Sequence, residues 1–99
     1  METTITKERT TLTIAVKGRL DSSNAGILEQ TIKDNMDGMD SVVFLLKELE
    51  YTSSAGLRVL LATAKLTGKL GGSMKIIGVT PEVREVLDIT GMLGILDVE

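Results

Sequence analysis

Leu49-Glu50-Tyr51-Thr52-Ser53-Ser54-Ala55-Gly56-Leu57-Arg58-Val59-Leu60-Leu61 is the stretch on which the fold turns. An apolar run, Val42-Val43-Phe44-Leu45-Leu46, leads into it, and a helical pattern follows it to about Lys69. Between them stand Thr52, Ser53, Ser54 and Gly56. The order predicts a strand, a short turn and a helix N-terminus, with Ser53 and Ser54 at the helix mouth. The first N–H groups of a helix have no partner within it, and that end carries a partial positive charge. A serine held there is either a cap or a group on which chemistry is done. The residues alone leave both roles open for each serine.

Downstream, Leu57, Leu60, Leu61 and Ala64 recur at helical spacing, widened by Val59, Ala62 and Leu66. Lys65 and Lys69 fall near the C-terminal end, where the helix dipole favours cations, and Gly68, Gly71 and Gly72 mark the exit. Met74–Val79 reads as a strand. Thr80-Pro81-Glu82 reads as a helix start with a cap, a preset first position and a dipole-matched acid. Val83, Val86, Leu87 and Ile89 supply that helix's apolar side, Gly91 ends it, and residues 95–98 suggest a last strand.

Upstream, residues 11–20 alternate. Leu12, Ile14, Val16 and Leu20 point one way, and Thr11, Thr13, Lys17 and Arg19 the other, as in a half-buried strand. Residues 5–8 and 12–16 can pair as a hairpin through Arg9-Thr10-Thr11, although that turn lacks Gly or Asn. Asp21-Ser22-Ser23-Asn24 is a run of cap residues, placing a helix at about 23–35 before the Asp37-Gly38 turn. The 42–46 run is apolar at both alternating sets, as expected of a central strand covered on both faces. The expected order is β-β-α-β-α-β-α-β: one α/β domain over residues 1–99 with a mixed sheet.

Composition removes most chemistry. The 99 residues contain no Cys and no His, so Ser-His-Asp and Cys-His catalysis and Cys-ligated zinc are excluded. A net charge of -3, with one Phe, one Tyr and no Trp, argues against nucleic-acid binding. No apolar run approaches the roughly 18 residues of a membrane span, and no signal-peptide core is present. A cytoplasmic location without membrane insertion is the expectation. Thr67-Gly68-Lys69-Leu70 fails as a phosphate loop: Thr63 stands where its first glycine belongs, and Leu70 where Ser or Thr should follow Lys. No cofactor or metal is expected. An enzyme or nucleotide-binding protein is disfavoured, and a Ser-Lys pair has no spacing to single it out.

Leu49-x-Tyr51-x-Ser53-Ser54-Ala55-Gly56-Leu57-x-x-Leu60 resembles the signature of anti-sigma factor antagonists, bacterial members of the STAS domain family. Gly18-x-Leu20-Asp21 resembles that family's opening, and Pro81-x-Val83-x-x-Val86-Leu87-x-x-x-Gly91-Met92 its C-terminal helix and exit. The similarity runs from about residue 5 to 98. It implies a STAS-like domain with helices packed mainly on one face of the sheet. It also implies a non-enzymatic regulator of transcription that works by partner switching. The unmodified antagonist binds an anti-sigma factor, itself a serine kinase, and so frees a sigma factor. The kinase uses ATP to phosphorylate the antagonist, and a PP2C-type phosphatase resets it.

Matched through Gly56-Leu57, the resemblance puts the phosphorylated serine at Ser54, with Ser53 as second choice. The implied partner surface comprises Asp21, Ser22, Asn24, Tyr51, Thr52, Ser53, Ser54, Ala55, Gly56 and Arg58. Three departures stand out. Ser53 replaces the family's usual acid, and Leu45 replaces an Asp or Asn in the preceding strand. The family's last amphipathic helix has no counterpart before Glu99, which would expose an apolar patch and invite self-association; monomer and weak homodimer both stay open. The alternative is a STAS interaction subunit of a transport or scaffold complex that is not switched.

Overall fold

Thr11–Leu20 (β2) is the strand around which the sheet is assembled. In the computed structural model, which describes residues 1–99, its alternation becomes one-sided burial. Leu12, Ile14, Val16 and Leu20 are all at most 1% exposed, while Lys17 and Arg19 face solvent. Glu2–Glu8 (β1) lies antiparallel along one edge, joined by the two-residue turn Arg9-Thr10. Arg9 adopts the left-handed conformation at φ 56°, so the turn closes without the glycine that usually marks it.

On the other side, Ser41–Leu45 (β3) runs parallel to residues 11–15, and Met74–Ile77 (β5) runs parallel to β3. A short strand between them in sequence, Leu49–Thr52 (β4), pairs with residues 18–20 of β2, beyond the end of β3. The sequence suggested one strand entering the helix; the chain instead turns and resumes. Leu46 and Leu49 are both buried and joined by a 3.0 Å backbone hydrogen bond, with Lys47 and Glu48 turned to solvent between them. Gly18 faces Leu49 and Arg19 faces Tyr51, so Glu50 is an extra residue bulged out of the ladder.

Ala25–Asn35 (α1), Ser54–Lys69 (α2) and Pro81–Ile89 (α3) cover the apolar face, and Phe44 and Leu12 are among the largest side chains wholly buried beneath them. The opposite face is open. Val42 and Phe44 of β3 are buried, but Val43 is only partly covered and Leu45 is exposed. The expectation of cover on both faces of this strand therefore gives way to one-sided cover.

The buried stripe of α2 runs Gly56, Leu57, Val59, Leu60, Thr63, Thr67. Its threonines tolerate burial because their hydroxyls donate to carbonyls one turn back, Thr63 to Val59 at 2.8 Å and Thr67 to Ala64 at 3.1 Å. Thr80 caps α3 as expected. Its Oγ1 accepts from the Val83 N–H and donates to the Leu49 carbonyl, tying α3 to β4. Ile89 lies outside the core at 77% exposed. The expected last strand is a single parallel bridge between Val98 and Ile76, preceded by a 3-10 turn at Met92–Gly94, with Ile95 exposed.

Candidate functional site

The C-terminal ends of β2 and β4 bring the singled-out residues to one place. The Ser53 N–H donates to the Leu20 carbonyl at 2.9 Å, so Asp21 leaves the sheet beside the residue that begins α2. Asn24 fixes that exit. Its Oδ1 accepts from the Asp21 N–H and its Nδ2 donates to the Arg19 carbonyl, both at 2.9 Å. Asn24 occupies the position before α1 without capping that helix through its side chain; the side chain holds the end of β2 instead.

The Asp21 carboxylate folds back on its own loop. Oδ1 accepts from the Ser23 hydroxyl at 2.6 Å and from the Ser23 N–H at 2.9 Å. These bonds to the charged form, the hydroxyl's first, hold Asp21 below the usual carboxylate range; desolvation opposes them, and the charge of Arg19 adds a lesser lowering. Arg19 is cross-strand from Tyr51 and lays its guanidinium over the ring, 4.3 Å from the centroid. Tyr51 remains 37% exposed.

The two serines separate here. Ser53 is the N-cap: its backbone is extended and its Oγ accepts from the Gly56 N–H at 3.4 Å. Ser54 is the first helical residue and exposed, and its hydroxyl makes no hydrogen bond with the protein. No acidic residue lies in the first turn of α2 to offset its positive end.

Two residues of the anticipated partner surface are not at the surface. Thr52 is 2% exposed and Gly56 is buried. A Cβ on Gly56 would collide with the Thr52 hydroxyl and come within 2.8 Å of the Leu20 side chain. Gly56 is therefore a close-approach glycine that lets α2 seat against Thr52 of β4 and Leu20 of β2. Ser22, Ser54 and Arg58 are exposed, and Ser53, Ala55, Asp21 and Asn24 partly so.

Sequence reasoning missed the groove beside this mouth. Ala25 and Gly26 of α1 face Ala55, Val59 and Ala62 of α2 across it, with Glu29, Arg58 and Lys65 at its margins. The small residues at these positions were the signal that could have found it. No group of three or more His, Cys, Asp or Glu side chains is placed to hold a metal ion. No helix is long and apolar enough to cross a membrane.

A helix-covered mixed sheet, with a capped helix mouth set against the end of its central strand, defines a small α/β domain of one known architecture. The model of the STAS domain matches residues 2–99, and the chain belongs to that family. It is 38% identical over 99 residues to BtrV of Bordetella bronchiseptica, a protein provisionally named as an anti-sigma factor antagonist; the match spans 99% of this chain and 85% of that one. The crystal structure of an anti-sigma factor antagonist from Mycobacterium paratuberculosis superposes with a TM-score of 0.85 at 26% identity, covering 98% of this chain and 83% of the other. The Bacillus protein SpoIIAA, solved in its phosphorylated form, shares the fold with a TM-score of 0.77 at 16% identity, covering 99% of this chain and 91% of that one.

Proposed function

We propose that this protein is an anti-sigma factor antagonist switched by phosphorylation of Ser54. Unmodified, it binds an anti-sigma factor with serine kinase activity and so releases a sigma factor. Its contact surface comprises Asp21, Ser22, Asn24, Tyr51, Ser53, Ser54, Ala55 and Arg58. The protein is not an enzyme: it is the kinase's substrate and inhibitor, acting in the cytoplasm.

The observation that carries this reading is the division of labour at the helix mouth. Ser53 spends its hydroxyl on the cap, whereas Ser54 presents an unbonded hydroxyl to solvent. The same division accounts for Ser53 standing where the family usually has an acid. Asp and Ser are both good N-cap acceptors, so the exchange keeps the cap and removes one charge. In the modification, Ser54 Oγ forms a bond to the γ-phosphorus of ATP as the bond to ADP breaks, and the hydroxyl proton is lost. The product carries about 1.5 to 2 additional negative charges at neutral pH. A partner seated on this hydroxyl-lined mouth is then repelled and sterically displaced. A PP2C-type phosphatase restores the serine by hydrolysing the ester with water.

The test is incubation with the cognate anti-sigma kinase and ATP, read by mass spectrometry and by binding. Phosphate on Ser54 in the wild type, none on Ser54→Ala, and release of the modified protein from the kinase are expected. A kinase that binds the chain yet leaves residues 52–54 unmodified would instead indicate a constitutive STAS interaction module.

A further inference from the structure

We propose that Arg58 is the internal counter-ion of this switch: once Ser54 is phosphorylated, Arg58 pairs with the phosphoryl group and is drawn from the rim of the α1–α2 groove to the helix mouth. The inference rests on reading Ser54 as the modified residue. It adds a second effect to repulsion, because modification both introduces an anion and re-aims the guanidinium at the groove rim that a partner would meet.

The placement supports it. Ser54 opens α2 and Arg58 lies four residues on, so the two share a helix face one turn apart. Side chains on a helix lean toward its N-terminus, which carries the Arg58 guanidinium back toward Ser54. Acid before base at this spacing is the favourable order. Arg58 is exposed and free to respond. The ion pairs of the structure are Lys17–Glu48, Lys33–Glu29 and Lys75–Glu99, and none involves it.

The competing charges nearby are otherwise engaged or lie further off. Arg19 is stacked on Tyr51, Asp21 is bound to Ser23, and Glu29 pairs with Lys33. Glu50 is carried on the bulge of β4, and Lys65 lies two turns beyond Arg58 along α2. A planar guanidinium also matches a phosphate better than an ammonium, since two parallel N–H bonds reach two oxygens. Arg58 lines the groove between α1 and α2. Drawing it toward Ser54 therefore alters the rim that an incoming partner would meet.

Phosphoserine placed at position 54 during synthesis, with no kinase involved, gives the test. The second ionisation of the phosphate is followed by ³¹P NMR titration in otherwise wild-type protein, in Arg58→Gln and in Arg58→Lys. An exposed pair at this spacing is expected to lower that ionisation by about 0.3 pH unit relative to Arg58→Gln. Arg58→Lys should fall between them, and the difference should collapse at about 1 M salt. The fixed charges of Asp21, Glu50, Arg19, Glu29 and Lys65 are common to all three proteins and cancel. A difference below about 0.1 unit, or one indifferent to salt, overturns the proposal. Failure of a kinase to modify Ser54 would leave this titration untouched, so the two readings fail separately.

Discussion

The backbone N–H of Ser53 donates to the carbonyl of Leu20 at 2.9 Å, and this bond joins the end of the central strand to the cap of α2. It sets Asp21 beside the helix mouth and brings the first turn of α2 down onto the Leu20 side chain.

That close seating makes Gly56 intolerant of even one methyl group. Ala is the better helix former, yet its Cβ would collide with the Thr52 hydroxyl and crowd Leu20, itself 1% exposed in the core. Gly56→Ala should therefore destabilise the fold by about 1–3 kcal/mol, the usual range for overpacking. Urea unfolding measures it. A variant as stable as the wild type would mean that α2 does not approach β2 this closely.

The Arg19–Tyr51 stack should be worth little to the fold and measurable as a coupling. Both residues are exposed, and the guanidinium sits 4.3 Å from the ring centroid. Exposed cation–π pairs contribute roughly 0.5–1 kcal/mol. A double-mutant cycle with Arg19→Ala and Tyr51→Leu should return a coupling of about that size. A value indistinguishable from zero would show the stack to be one pose among many.

Asp21 gives the site a pH signature. Its pKa is lowered in the folded state, chiefly by the Ser23 hydroxyl, so folding favours the charged form. The stabilisation is complete above the unfolded value of about 3.9 and fades as pH falls through the lower folded value. Ser23→Ala removes the largest cause and should move the Asp21 titration upward, toward the ordinary value, when side-chain carboxyl resonances are followed by NMR. An unmoved titration would shift the origin of the effect to the Ser23 N–H and Arg19.

How much of this was legible in the sequence depended on whether a residue's role is set by its neighbours along the chain. β2 was legible because one-sided burial writes itself as alternation, from Leu12 through Val16. The cap at Thr80 was legible because capping is local, whereas at the mouth of α2 the two adjacent serines left the choice of cap open until the structure gave it to Ser53. β4 was not: its residues run buried, exposed, exposed, buried, and the bulge at Glu50 destroys the period of two. Thr63 and Thr67 were hidden from a search for apolar stripes because their hydroxyls are satisfied within the helix. The reason for Gly56 lies in the Thr52 hydroxyl four positions earlier and in Leu20, 36 positions earlier, both brought against it by the fold, and no sequence pattern carries it. The family resemblance supplied the switch and ranked Ser54 above Ser53; the structure adds a physical difference between them.

That difference can be checked without any partner. If Ser53 is the cap, Ser53→Ala should cost about 1 kcal/mol. In a domain of this size that lowers the melting temperature by roughly 4–8 °C. Ser53→Asp should retain the cap, since a carboxylate accepts the same N–H and suits the positive end of α2. Ser54→Ala removes a hydroxyl that is exposed and unbonded, so it should change stability by no more than about 0.5 kcal/mol. The two alanine variants are compared by thermal unfolding of the unphosphorylated protein. A larger loss at Ser54 than at Ser53 would reverse the roles: Ser54 would be held by the fold, and Ser53 would be the hydroxyl free for modification.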